Sequence, residues 1–180
     1  ASEIIIDSLY RALRYPKELF FLEQKIIPIE GHYRKKISLS VKEQKEYKAK
    51  MTFTELHVGK LLPAIDLQAA NIPSWDIEKD GSAKEAAKYV REYWKIPRGR
   101  INDLAVILEN NGVIIAPLDL DGMDGFSTYS TQYHIPILFI NRKRPADRTR
   151  FNLAHELCHY VCHFGKKVSL DRDLEKESNE

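Results

Sequence analysis

The chain has 180 residues, 43% of them hydrophobic and 30% charged, as expected of a globular protein with one good core or two small ones. Its net charge of +2 is too small to indicate nucleic-acid binding by itself. No apolar stretch approaches the roughly 18 residues of a membrane span, and the first residues lack the pattern of a signal peptide. Two cysteines close together in the chain favour a reducing compartment, so we expect a cytoplasmic protein.

The first forty residues predict a short helix and then an extended segment. Residues 1–15 have a helical pattern that ends before Pro16. Residues 26–38 have strand-like or extended character, with a turn at Glu30 and Gly31.

Two capping boxes predict the helices that follow. Each box pairs a serine with a glutamate three residues later: Ser40 with Glu43, and Ser82 with Glu85. The first helix should run to about Leu62 and the second to Ile96, because a proline follows each. Residues 71–81 are rich in turn formers and are typical of a linker. We therefore expect a mostly helical N-terminal region at residues 1–80 and a second domain at residues 81–180.

The second domain is predicted to contain a helix, a sheet and a further helix. The first of these helices carries Leu104 and Leu108 and should end at Gly112. Three strand candidates come next: "GVIIAPLDL", "GFSTYSTQ" and "IPILFIN". The last strand either pairs with an extended peptide substrate or is simply a buried strand.

The segment "NLAHELCHYVCHF", residues 152–164, holds three of the six histidines. On a helix, His155 and His159 lie one turn apart on one face, where both imidazoles can bind one ion. Glu156 lies about 100° away, within reach of a water but badly placed to be a ligand. This is the His-Glu-x-x-His pattern, in which two histidines hold zinc and the glutamate is a general base.

Other residues near this motif allow more than one interpretation. Cys158 and Cys162 are spaced for a poor disulfide, and we expect buried thiols. His163 is too far from His155 to join both histidines on one ion. A third ligand should come from the acidic tail, where spacing cannot choose among five residues: Asp171, Asp173, Glu175, Glu177 and Glu180. A basic cluster before the motif favours a solvated loop over a nucleic-acid site: Arg142, Lys143, Arg144, Arg148 and Arg150.

The segments "GFSTY", "HIPILFINRKRP" and "RTRFNLAHELCHYVCHF" together resemble the ImmA/IrrE family of zincin-like metallopeptidases. The resemblance spans roughly residues 82–180 and implies an α+β fold, with helices packed on a short three-stranded sheet. In this family a Glu-x-x-small-Asn segment follows the motif, and "EKESN" fits it. The resemblance therefore makes Glu175 the third ligand, with Glu177 as the fallback. The apolar run that continues the family pattern would lie beyond Glu180, so we expect a C-terminally truncated domain.

A weaker resemblance covers the N-terminal half. "RYPKELFFLE" and "HYRKK" are similar to the segment that, in one branch of the family, joins a helix-turn-helix domain to the peptidase domain. No helix-turn-helix is recognisable in this sequence. We expect a fragment of a longer transcriptional regulator that contacts DNA only through the missing domain.

The motif predicts a zinc-dependent metallopeptidase, and the resemblance implies that it cleaves a repressor-like partner protein in a regulatory or stress circuit. His155, His159 and Glu175 would hold zinc, and Glu156 would be the general base. Four further residues are candidates for oxyanion or substrate contacts, or are structural: Tyr129, Tyr133, His134 and His163. The alternative is a sensor or binding domain of a DNA-binding regulator that keeps the metal but does not cut. The sequence gives no indication of oligomeric state.

Overall fold

A computed structural model describes residues 3–13, 16–21, 40–164 and 178–179. Within these ranges the chain forms five α-helices and a three-stranded sheet, in the order α1 (Glu3–Leu13), α2 (Val41–Leu61), α3 (Ala83–Tyr93), α4 (Leu104–Asn110), β1 (Ile114–Leu118), β2 (Gly125–Ser130), β3 (Ile135–Asn141) and α5 (Ala146–Cys158). Short 3-10 turns occupy Lys17–Phe21 and Leu62–Ala64, and a π-helical turn at His159–His163 continues α5. The predicted α+β class is confirmed. The extended segment predicted at residues 26–38 lies outside the described residues.

Both predicted capping boxes open a helix. At α2, the Glu43 amide donates to Ser40 Oγ at 3.3 Å and the Ser40 amide donates to the Glu43 carboxylate at 2.8 Å. Ser82 and Glu85 form the same box at α3. These reciprocal bonds satisfy amides that the first helical turn would leave without a partner.

Helix α3 ends at Tyr93, so the prediction that it continues to Ile96 was wrong by three residues. Lys95 has a φ of +54°, in the left-handed region, and this reverses the chain before Pro97. The reversal lets the Ile96 amide donate to the Arg91 carbonyl at 2.8 Å, a bond typical of a Schellman helix end. A lysine gives no sequence signal for this conformation, which glycine usually adopts.

The three predicted strands form one sheet in the order β1-β3-β2. β3 pairs with β1 in parallel and with β2 in antiparallel orientation, and all seven of its residues are buried. Because both sides of β3 are occupied, the suggestion that it pairs with a substrate was wrong, and the interpretation as a buried strand is correct. β2 pairs with β3 and lies next to α5.

The sheet is covered on both faces. On one face Tyr47 and Met51 of α2 pack against Ile137 and Phe139 of β3. On the other face the alternate β3 residues, Leu138 and Ile140, pack against helices α3, α4 and α5. The core therefore joins residues on both sides of the domain boundary expected near residue 80, which stays a prediction.

Residues 71–75 are held by hydrogen bonds to the second half of the chain. The Asn71 amide donates to the Asn111 carbonyl at 3.0 Å, and Trp94 Nε1 donates to the Asn71 carbonyl at 2.7 Å. The Trp75 amide donates to the Val161 carbonyl, inside the π-helical turn, at 2.9 Å. The segment predicted as a linker is thus held against the helix that carries the histidines.

In the part of the chain that the structure describes, no helix combines the length and the apolar character that crossing a membrane requires.

Candidate metal centre

Helix α5 presents the histidines because its opposite side is fixed in the core. Leu153 and Leu157 belong to the apolar cluster under the sheet, and both are buried. His155 and His159 are half-buried on another side of the same helix, one turn apart. The helix therefore holds both imidazoles at the surface of the core, where solvent and ions can reach them.

The two imidazoles are arranged as ligands of one ion would be. His155 Nε2 and His159 Nε2 are 3.2 Å apart, and the ring planes meet at 79°. Two nitrogen atoms on one tetrahedral zinc, each about 2.05 Å from it, would be about 3.3 Å apart. The donor atoms and their separation therefore fit zinc.

The other ring nitrogen of each histidine has a partner of its own. His155 Nδ1 lies 3.2 Å from Asn179 Oδ1, and His159 Nδ1 lies 3.0 Å from His163 Nδ1 and 3.4 Å from Ser178 Oγ. Because an amide oxygen only accepts, this contact is a hydrogen bond in the tautomer of His155 with its proton on Nδ1, and that tautomer leaves the Nε2 lone pair for a metal. These contacts fix the orientation of both rings.

Glu156 lies between α5 and the edge strand. It is buried, with 8% of its surface exposed. A Cβ atom placed on Gly125, the first residue of β2, would lie 3.5 Å from Glu156 Cγ and Oε1. Burial raises the pKa of the neighbouring Tyr160, and the charge of Glu156 raises it further. The Tyr160 hydroxyl donates to the carbonyls of Thr128 and Ile137, and these bonds oppose the increase. Glu156 thus lies beside the start of β2.

The loop that leads into β2 is held by the end of β3. Asn141 Nδ2 donates to the carbonyls of Leu120 and Met123, at 2.6 and 2.8 Å, and the Asn141 amide donates to the Asp124 carbonyl at 3.0 Å. The sequence marked Asn141 as the end of a strand but did not indicate this role. One asparagine therefore positions the residue before Gly125, and with it the border of the site.

Ion pairs tie the basic cluster to the same loop. Arg142 pairs with Asp119, Lys143 with Asp121, and both Arg144 and Arg148 with Asp124. Burial raises the pKa of the Asp124 carboxyl, but the two guanidinium groups outweigh it and hold that pKa below its usual value. All five basic residues are exposed, as expected of solvated side chains, but Arg148 and Arg150 lie in α5 and not in the predicted loop.

The two cysteines form no disulfide, as predicted, but only one of them is buried as expected. Cys162 is buried, Cys158 is half-buried, and their sulfur atoms are 3.8 Å apart. The hydrogen bond between the two thiols lowers the pKa of Cys158 to about 7, against the opposing effect of burial, and Ser178 and His159 lower it further.

The four candidates for substrate contacts lie in different places. Tyr133 is on the opposite face of the sheet, with its ring against Gly59 of α2, so it does not line the site. His134 lies in the β2–β3 turn with a φ of +57°. Tyr129 packs on Phe164 next to the π-helical turn, with 5.6 Å between ring centroids. His163 is buried beside His159, which makes it a support for that ring.

The expected third ligand, Glu175, and its fallback, Glu177, lie outside the described residues. Within the described ranges no third His, Cys, Asp or Glu completes a metal-binding group. The neighbours Ser178 and Asn179 are described and contact the histidine pair. Both residues belong to the "EKESN" segment, whose sequence indicated no role for either of them.

Residues 108–180 match a peptidase family model, Peptidase_M78, described as the IrrE N-terminal-like domain. This match confirms the resemblance to the ImmA/IrrE family over those residues, and the family is of the zinc metallopeptidase type. The comparison with curated proteins gives no match, and neither does the comparison with solved structures.

Proposed function

We propose that the protein is a zinc-dependent metallopeptidase that hydrolyses a peptide bond in a regulatory, repressor-like partner protein. The observation that carries this proposal is the 3.2 Å separation of His155 Nε2 and His159 Nε2, with Glu156 between them in sequence. His155, His159 and Glu175 are the proposed ligands. Two imidazoles and one carboxylate leave one position open, as in catalytic zinc sites.

The position of Asn179 supports Glu175 as the third ligand. Asn179 and Ser178 reach the Nδ1 atoms of His155 and His159, so this part of the chain passes beside the metal ligands. Glu175 is four residues before Asn179 and supplies the hard oxygen donor that the pair of nitrogen donors lacks. Glu177 remains the fallback, because it precedes Ser178 directly.

Bound zinc supplies a Lewis acid for the substrate carbonyl and lowers the pKa of water toward about 7. Residues of the chain transfer the proton and keep the metal ligands oriented. Glu156 takes the proton from the attacking water and passes it to the departing amine. Asn179 and His163 keep the two imidazoles in place while this happens.

The start of β2 borders the proposed general base, because Gly125 lies beside the Glu156 carboxylate. A substrate that reaches Glu156 would therefore pass this end of the strand. Recognition of one partner protein would need further contacts. DNA would be contacted only through a helix-turn-helix domain outside this chain.

Replacement of Glu156 by Gln tests the peptidase. The variant keeps the size of the side chain but removes the base, so zinc should be retained and cleavage should disappear. Cell extracts from strains with wild-type or Glu156→Gln protein are compared for proteins that are shortened only in the first, together with expression of neighbouring genes. If no protein is shortened and both forms regulate those genes equally, the non-proteolytic sensor is the correct interpretation.

A further inference from the structure

Two thiols lie side by side on the helix that carries the histidine pair. Cys158 Sγ and Cys162 Sγ are 3.8 Å apart, at the junction between α5 and the π-helical turn. These are the only cysteines in the chain. Any disulfide within one chain must therefore join these two residues.

The two thiols differ in exposure. Cys158 is half-buried, whereas Cys162 is 3% exposed and packs within the apolar cluster under the sheet. A small oxidant from solvent therefore meets Cys158 first, and Cys162 lies directly behind it. An accessible cysteine beside a second, resolving cysteine is the arrangement of a reversible oxidation site.

We propose that Cys158 and Cys162 are a peroxide-sensitive thiol pair, and that their oxidation to a disulfide loosens the neighbouring metal site. This inference rests on the proposed zinc site for its second half only. Hydrogen peroxide oxidises the Cys158 thiol to a sulfenic acid and releases one water. The Cys162 thiol then attacks that sulfur, the S–S bond forms, and the hydroxyl leaves as a second water. The two electrons given up by the thiols reduce the peroxide.

The effect on the metal follows from distances. Closing the pair from 3.8 Å to a bond of about 2.05 Å shortens the gap by about 1.7 Å. Cysteines four apart on a helix have Cα atoms near the limit of a disulfide's reach, so the backbone between them must move. His159 is the first residue of that backbone segment. Metal–ligand distances tolerate only about 0.2 Å, so the disulfide should weaken zinc binding.

The test oxidises the full chain with hydrogen peroxide, with and without added zinc. Free thiols are titrated under denaturing conditions, intact mass is measured, and bound zinc is determined after desalting. Wild type should lose both thiols and two hydrogen atoms per chain, without added oxygen, and should lose its zinc. A thiol reductant should restore all three readouts.

Two serine variants serve as controls. Cys162→Ser should stop at the sulfenic acid, which dimedone traps, and should retain zinc. Cys158→Ser should keep the buried Cys162 reduced under the same exposure. Wild type that keeps both thiols, or that gains oxygen without losing two hydrogens, would overturn the thiol pair. A disulfide that forms with zinc retained would overturn the coupling to the metal site. If the reduced chain binds no zinc, the proposed metal site fails, while the thiol and mass readouts still decide whether the pair is oxidised.

Discussion

The two faces of the sheet share the central strand β3, but different helices pack on them: α2 on one face, and α3, α4 and α5 on the other. On the α2 face, Met51 packs in one apolar cluster with Phe139, and the Tyr133 ring lies against Gly59, so a substitution there acts on packing. On the α5 face, Leu153 and Leu157 anchor a helix whose next side carries a histidine pair. The site therefore lies at the margin of the core. Apolar contacts hold the helix in place, and polar contacts next to them orient the two histidine ligands. Substitutions on the two faces should therefore have separable effects.

The largest expected effect is loss of zinc from changes to the ligands on the α5 face. His159→Ala should abolish zinc binding while the apolar face of α5 keeps the chain folded. Glu175→Gln should lower the zinc content strongly, and Glu177→Gln is its matched control. Elemental analysis and circular dichroism of each purified variant measure the two properties. Equal zinc in wild type and His159→Ala would rule out the site, and the reverse result for the two glutamates would make Glu177 the ligand.

The next effect belongs to the α2 face and should leave the metal alone. Met51 is fully buried, so Met51→Ala should lower the free energy of unfolding by about 2–5 kcal/mol. Val41, 68% exposed on the same helix, provides the control, because Val41→Ala removes no core contact. Urea unfolding followed by circular dichroism gives the stability, and zinc per folded chain should be unchanged. Parallel loss of zinc would mean that the two faces are not separable.

A smaller effect is expected from the partner of His155. Asn179→Ala removes the acceptor 3.2 Å from His155 Nδ1, so zinc affinity should fall roughly 10–100-fold. Asn179→Asp retains an acceptor and should restore the affinity. Competition with a chromophoric chelator measures both, with the stability of the zinc-free chain as the control for folding. An unchanged affinity in the alanine variant would remove Asn179 from the site.

The smallest effect concerns the loop that borders β2. Two arginines lower the pKa of Asp124 in the folded state below its ordinary value of 3.8. A carboxyl with a lowered folded pKa stabilises the fold above its unfolded pKa and loses that contribution as the pH falls through its folded pKa. Because the groups are partly exposed, the contribution should be about 0.2–1 kcal/mol. Asp124→Asn should make the free energy of unfolding fall less steeply between about pH 5 and pH 2. An unaltered pH profile would contradict the pairing.

Local patterns predicted the elements of this fold well, since both capping boxes and all three strands depend on neighbours in sequence. The place of β3 at the centre of the sheet, with both sides paired, depends on strand order, which its apolar sequence does not encode. Lys95, which has a left-handed backbone conformation, likewise ends α3 earlier than predicted, and no glycine marks this position in the sequence.

The residues of the site were likewise predicted only in part. The spacing of His155 and His159 predicted that their rings meet, because a helix puts residues four apart on one face. Their supports were missed for two reasons. Asn179 is 24 residues from His155, a separation for which no local rule exists. His163 was expected to be a substrate contact or a structural residue, and its spacing gave no reason to expect contact with the His159 nitrogen that faces away from the shared Nε2 position.

The π-helical turn sets the register of everything that follows the histidines. The Phe164 amide donates to the His159 carbonyl five residues earlier, so the turn holds one residue more than an α-helical turn would. Deleting one residue between these two would let the same amide and carbonyl close an α-helical turn, so Phe164 could keep its place against Tyr129 and Tyr160. The side chains within the turn would instead change the side of the helix on which they lie. A single-residue deletion should thus act on the contacts made inside the turn and leave the chain after it in place.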